Sequence, residues 1–521
     1  MARKTVHEPE VHKIIQGSSI FWVPTLAMRS QPEVILMEFM RFFTYGTKPN
    51  GKTGHYPAQL LDPDRGDYND KEKFVINSLR GRQKGKKKKN SPPEFFYAPA
   101  YPRLTKQTWI RGGDPEIING FIMKGVLSHY LRSMRKDKER SKSISEIAEN
   151  IIQALCGKKE KPEIFSLCLD EIGLPVKDLQ KNIETKLKNL VEETQLFPTG
   201  QENPLYEVAS KDFQVLLKLE PFLPRQHWIS MLMCYLRYIV PIWCLSQTRN
   251  TIQLLNWVLA TLEGETPTQE EINEGIFSST SKLLPVTLNP SRIVHEHVES
   301  YMKSRVQLTC IFNSLIEEGC FSEEYFSSRP LVVSPEDKNG VLLVNFLNEL
   351  ASKREEYKNK IILKMDSDSG QNIFERYSIR LCEKWNAWLN PLKNGQGVNM
   401  IEVMDMLRSS GDMDERGNYL IEGVYIPYLM FRVCPGPMAL QVFTLWAHIK
   451  KRLSGSHGKL TLSDLIKHFG YYGIDFQDQS DGLVVLMDRM KKLGLLRGSP
   501  DAGTSAEIEN PYKNFLKILT A

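Results

Sequence analysis

Residues 438–510 read MALQVFTLWAHIKKRLSGSHGKLTLSDLIKHFGYYGIDFQDQSDGLVVLMDRMKKLGLLRGSPDAGTSAEIEN, directly after the chain-breaking Pro435-Gly436-Pro437. Leu440, Phe443, Leu445, Trp446 and Ile449 recur at helical spacing and predict an amphipathic helix ending at Lys450-Lys451-Arg452. Ser454 to Gly458 supplies a turn, and Lys459-Leu460-Thr461 suits a short strand. Ser463 is the expected cap of a second helix carrying Leu465, Ile466 and Phe469, which gives way to the turn Gly470-Tyr471-Tyr472-Gly473. A third helix is expected from Ser480 or Asp481, with Leu483, Leu486, Met487, Met490 and Leu493 on one face and Gly494 as its stop. Leu495-Leu496-Arg497 and Ala506-Glu507-Ile508 then predict a pair of short strands.

Outward from this stretch, the chain is mostly helical in pattern, and its 521 residues suggest three or four domains at ~150 residues each. Ser30-Gln31-Pro32-Glu33 fits a capping box, followed by Ile35, Phe39, Phe42 and Phe43 at helical spacing. Residues 1–114 form an N-terminal region, and residues 115–263 a helical domain. Residues 264–290, rich in Thr, Ser, Glu and Pro, are expected to be a linker. Residues 291–437 read as a second helical domain with minor β structure. It holds one long helix over Ile293–Glu318, a β-like run at Leu331-Val332-Val333, and a second long helix over Val341–Ile362. The fold class expected is therefore mainly α and multidomain.

With 41% hydrophobic and 25% charged residues, the chain can bury an ordinary core. A segment from Trp228 to Leu245 is apolar enough to raise the question of a membrane span. Arg237 at its centre and Pro241 near its end instead predict a buried core helix kinked at the proline. Eight cysteines lie scattered without a C-x-x-C pair or a His at zinc-ligand spacing, which predicts reduced thiols used as small hydrophobes. No apolar leader follows Met1, so a cytoplasmic location is expected.

A net charge of +6 is unremarkable, but its clustering is not. Arg80, Arg82, Lys84, Lys86, Lys87, Lys88 and Lys89 fall within ten residues, spaced only by Gly81, Gln83 and Gly85. So many like charges repel one another and bury nothing apolar, so a loop is expected. Backbone contact with nucleic acid, an import signal and a solvated loop are its three readings. The neighbouring Phe95, Phe96, Tyr97 and Tyr101 suit base stacking, although the prolines between them also suit a chain pinned on the surface.

The order of elements over 438–510 resembles the winged helix-turn-helix family, most tellingly in Leu486-x-x-Met490-x-x-Leu493-Gly494-Leu495-Leu496. The likeness covers about a sixth of the chain. It implies contact with nucleic acid, DNA in the first instance, through the third helix and the wing. Arg489, Lys491, Lys492 and Arg497 would be the contacting cations, while Asp481, Asp488, Glu507 and Glu509 oppose such contact. Members of this family also serve as protein-docking modules. The overall layout is similar, too, to accessory proteins of bacterial phage-defence islands, although no motif carries that likeness.

Catalytic and metal motifs fail on spacing or context. His457-x-Lys459-x4-Asp464 fits the His-x-Lys-x4-Asp signature of the phospholipase D and nuclease superfamily, but it occurs once and lacks the preceding apolar strand. Asp412-x-Asp414-x-Arg416-Gly417 opens like a calcium loop, yet Arg416 takes a ligand position and Gly423 stands where the closing Glu belongs. His295-Glu296-His297 misses the spacing that puts two imidazoles on one helical face. The expectation is a non-enzymatic, nucleic-acid-associated subunit or scaffold of a cytoplasmic complex, with other protein subunits as partners and no cofactor, metal, membrane or small-molecule substrate. Its alternatives are a pure protein scaffold and a nuclease built on His457, Lys459 and Asp464.

Overall fold

A computed structural model of the chain describes residues 205–223, 225–277, 284–285, 293–327, 329–333, 340–365, 372–383, 421–422, 432–433, 459–476, 481–497 and 500–509. It also describes 13–16, 18, 20–21, 23, 70, 126, 129, 146, 154, 444, 446–447 and 451. These residues are mostly helical. In chain order they form α1 (Lys13–Gln16), α2 (Leu205–Leu219), α3 (Arg225–Glu263), α4 (Gln269–Phe277), β1 (Leu284–Pro285) and α5 (Ile293–Glu317). Next come α6 (Glu323–Ser327), β2 (Leu331–Val332), β3 (Val341–Leu342), α7 (Leu343–Ser352), α8 (Arg354–Lys364) and α9 (Ile373–Glu383). The strands β4 (Ile421–Glu422) and β5 (Arg432–Val433) pair with each other. The last elements are α10 (Leu462–Gly470), β6 (Ile474–Asp475), α11 (Asp481–Lys492), β7 (Leu496–Arg497) and β8 (Glu507–Ile508).

Among the described residues, α2, α5, α7 and α9 all pack on the 39-residue α3. Every residue from Tyr238 to Thr248 is buried, so this helix has no solvent face there and its apolar residues need not follow a stripe. It continues through Pro241 as one helix. No helix among the described residues is long and apolar enough to cross a membrane. Three of the polar tips of α3 bond directly to α2. Trp228 Nε1 donates to the Leu216 carbonyl at 2.8 Å, Tyr235 Oη to the Ala209 carbonyl at 2.9 Å, and Trp243 Nε1 to Tyr206 Oη at 2.8 Å, locking α3 to α2. Farther along, Asn250 and Thr251 donate to the carbonyls of Ile20 and Phe21, which fixes these two residues against the same helix.

One core cluster runs from Ile14, Phe21 and Leu254 through Phe312, Phe326 and Phe346 to Phe374 and Tyr377. It therefore joins residues on both sides of 264–290. That connecting stretch itself holds α4, whose Ile272 and Ile276 are buried in this cluster. Thr268 and Glu271 start α4 reciprocally: the Glu271 carboxylate accepts from the Thr268 N–H at 2.7 Å, and Thr268 Oγ1 accepts from the Glu271 N–H at 3.2 Å. The expected helix over Val341–Ile362 is instead β3, α7 and α8. β3 pairs in parallel with β2, and Lys353, at φ −96° and ψ 0°, breaks the path between the two helices. The N-terminal capping box at Ser30 and the basic tract 80–89 lie outside the described residues.

The C-terminal elements close on themselves. Thr461 caps α10, two residues before the expected Ser463, in a capping box with Asp464. Gly494 takes φ +67°, the left-handed conformation that ends α11. β7 and β8 pair antiparallel, Leu496 opposite Ile508, and Thr461 bridges to Glu507 on the outer side of β8. Leu483, Leu486 and Met490 are buried, as their helical spacing requires. β6 adds a tie to the body by pairing in parallel with β1, Ile474 beside Leu284.

Candidate nucleic-acid and partner interfaces

The outward side of α11 is where the third-helix cations should act. Val484 is 64% exposed there, and Asp488, Lys491 and Lys492 are exposed with it. Lys492 Nζ lies 2.7 Å from Asp488 Oδ2, one helical turn away, and this bond holds the Asp488 carboxyl below its usual range. Lys491 is exposed with no ion pair to a described residue, and Arg489 is half-buried. On the strands, Arg497 Nε meets Glu509 Oε1 at 2.7 Å, and Lys459 Nζ meets Glu507 Oε2 at 2.6 Å. Three of the cations nearest this surface are thus answered by carboxylates.

Exposed ion pairs of this kind hold with only ~0–1 kcal/mol, so a phosphate could displace them. The displaced carboxylate would remain nearby and repel the incoming phosphate, which removes most of the gain. Over residues 438–510, nine Lys and Arg stand against eight Asp and Glu. The tract Arg80, Arg82, Lys84, Lys86, Lys87, Lys88 and Lys89 has seven cations and no acid, and it lies outside the described residues.

The His-Lys-Asp motif is spread over other duties. Lys459 serves the Glu507 pair, and Asp464 accepts from Lys451 Nζ at 2.6 Å and from the Thr461 N–H at 2.9 Å. Burial works to raise the Asp464 carboxyl, but the bonds to Lys451 and Thr461 outweigh it and hold it below its ordinary value. His457 lies outside the described residues. Among the described residues, no cluster of His, Cys, Asp and Glu could hold a metal ion.

A group that the sequence did not single out lies beneath this unit. Asp212 of α2 is 4% exposed, and it accepts a hydrogen bond from the Tyr472 hydroxyl. His468 Nε2, on α10, stands 3.3 Å from the same carboxylate oxygen. Tyr238 meets Tyr472 edge-on at 5.4 Å, and Trp446 meets Tyr235 edge-on at 6.0 Å. Burial, and after it the Asp212 charge, pushes the Tyr472 phenol well above its ordinary range, so it stays a proton donor. Asp212 belongs to an amphipathic helix and nothing in its local pattern marks it. Only the meeting of α2, α3 and α10 does. The cluster is buried and ties the C-terminal unit to α2 and α3.

No protein-family model, curated protein or solved structure matches this chain.

Proposed function

We propose that this chain is a non-catalytic scaffold subunit of a cytoplasmic complex that associates with nucleic acid through Arg80–Lys89. We read its C-terminal unit as a winged helix-turn-helix domain that engages a protein partner. The segregation of charge carries this reading: seven cations and no acid in ten residues at 80–89, against a C-terminal unit whose Lys459, Lys492 and Arg497 are already paired. Phosphate binding is driven largely by counterion release, which requires cations in net excess. The tract meets that requirement and the C-terminal surface does not. The exposed Val484 beside Asp488 and Lys491 suits a protein surface better than a phosphate backbone.

The reading is tested with the full chain and a labelled duplex of arbitrary sequence. Seven phosphate contacts give a slope of log K against log salt of about −6. Binding that is undetectable at low salt, or indifferent to salt, contradicts it. A protein partner retained at high salt after nuclease treatment, with no nucleic-acid affinity, would instead favour the pure scaffold.

A further inference from the structure

Cys310 on α5 and Cys382 on α9 are distant in sequence, yet their thiols meet in a side-chain hydrogen bond. A second contact fixes the register independently: Gln307 Nε2 donates to Ser378 Oγ at 3.3 Å across the same two helices. Cys310 lies one helical turn after Gln307, and Cys382 one turn after Ser378. The two contacts therefore lie on adjacent turns of each helix, and both sulfurs sit on the face where α5 and α9 pack. None of the described cysteines is in a disulfide. Cys382 is 1% exposed, whereas Cys310 is only partly buried.

We infer that Cys310 and Cys382 are a redox pair, which a peroxide-class two-electron oxidant converts to a disulfide that staples α5 to α9. Cys310 is the sulfur an oxidant can reach. Its thiolate attacks one oxygen of hydrogen peroxide, the O–O bond breaks, and the departing hydroxide takes a proton to leave as water. The resulting Cys310 sulfenic acid is attacked by the Cys382 sulfur. The S–S bond forms, the S–O bond breaks, and the leaving hydroxide takes the Cys382 proton as a second water. Two thiols lose two protons and two electrons, and the peroxide that takes them up becomes two waters. The hydrogen bond to Cys310, with burial, pushes the Cys382 thiol far above its ordinary range, which makes this second step the slower one. The staple closes a loop of about 70 residues containing α6, α7 and α8, so it holds α9 in place when the helix would otherwise open.

The full chain, reduced and then treated with hydrogen peroxide, is denatured, alkylated, digested and mapped by mass spectrometry. The expected result is a Cys310–Cys382 linked peptide lighter by two hydrogens. Alkylatable thiols fall by two from the eight in the chain, and dithiothreitol restores them. In Cys382→Ser, Cys310 is expected to be captured as sulfenic acid by dimedone, and the wild-type map alone decides if that variant does not fold. Cys310 ending as sulfinic acid with Cys382 still alkylatable would overturn the inference. So would both thiols remaining unreacted, or a link from either to a different cysteine.

Discussion

Tyr472 and Asp212 are joined by a hydrogen bond across 260 residues of sequence, and both are buried where the C-terminal unit meets the helical body. Burial, and after it the Asp212 charge, keeps the phenol protonated, so it is the donor of this bond. With β1 pairing β6, this bond fixes the C-terminal elements to α2 and α3.

Tyr472→Phe removes a donor from a buried carboxylate and should destabilise the chain by about 1.5–3 kcal/mol. Asp212→Asn removes the buried charge while its amide oxygen still accepts from Tyr472, so its loss should be the smaller of the two. Urea denaturation at neutral pH measures both. A Tyr472→Phe protein as stable as wild type would show that the bond contributes nothing.

His297 gives a pH prediction. It is largely buried on α5, with Nε2 2.6 Å from Thr248 Oγ1, and burial above all pushes it down to about 4. The unfolded chain takes up this proton near pH 6.5, the folded chain only near pH 4. Between those values the unfolded state binds more protons, so stability is complete above pH 6.5 and falls as the pH is lowered toward 4. At pH 5 the loss is roughly 2 kcal/mol. His297→Gln should flatten the stability change between pH 7 and pH 5 by about that amount; an unchanged profile would refute the assignment.

The start of α10 offers a local test. Thr461→Ala removes the cap and should destabilise by about 1 kcal/mol, whereas Ser463→Ala should change stability by less than about 0.5 kcal/mol. Equal losses at the two positions would place the cap wrongly.

That pair of residues also shows what local sequence can and cannot reveal. Spacing located the elements of 459–509, because buried Leu483, Leu486 and Met490 must share a face and a glycine must end the helix. The choice between Thr461 and Ser463 depended on which hydroxyl had an acid three residues on: Thr461 has Asp464. The same signal at Thr268 and Glu271 was masked by the polar composition of 264–290, although Ile272 and Ile276 there enter the core. The start of the periodic run at 341–342 is a strand because it pairs with β2, a partner that is not written in 341–362, and Lys353 divides the rest into two helices. Asp212, Tyr472 and His468, like Cys310 and Cys382, become groups only through packing between distant helices. No spacing within one segment could have announced them.

Arg489, Lys491 and Lys492 test the division of labour between the two basic elements. Their joint replacement by Gln should weaken nucleic-acid binding no more than about threefold, because Lys492 is already paired with Asp488 and the unit as a whole is close to neutral. Fluorescence anisotropy with the labelled duplex reads this directly, and a loss comparable to that from the 80–89 tract would make α11 a primary contact.

The central claim, that affinity for nucleic acid resides in Arg80–Lys89, is tested most directly by the salt dependence of duplex binding in Lys86–Lys89→Gln. Removing four of seven cations should reduce the slope of log K against log salt by about 3 to 4 and weaken binding equally for unrelated duplex sequences. A slope and affinity unchanged from wild type would contradict the account.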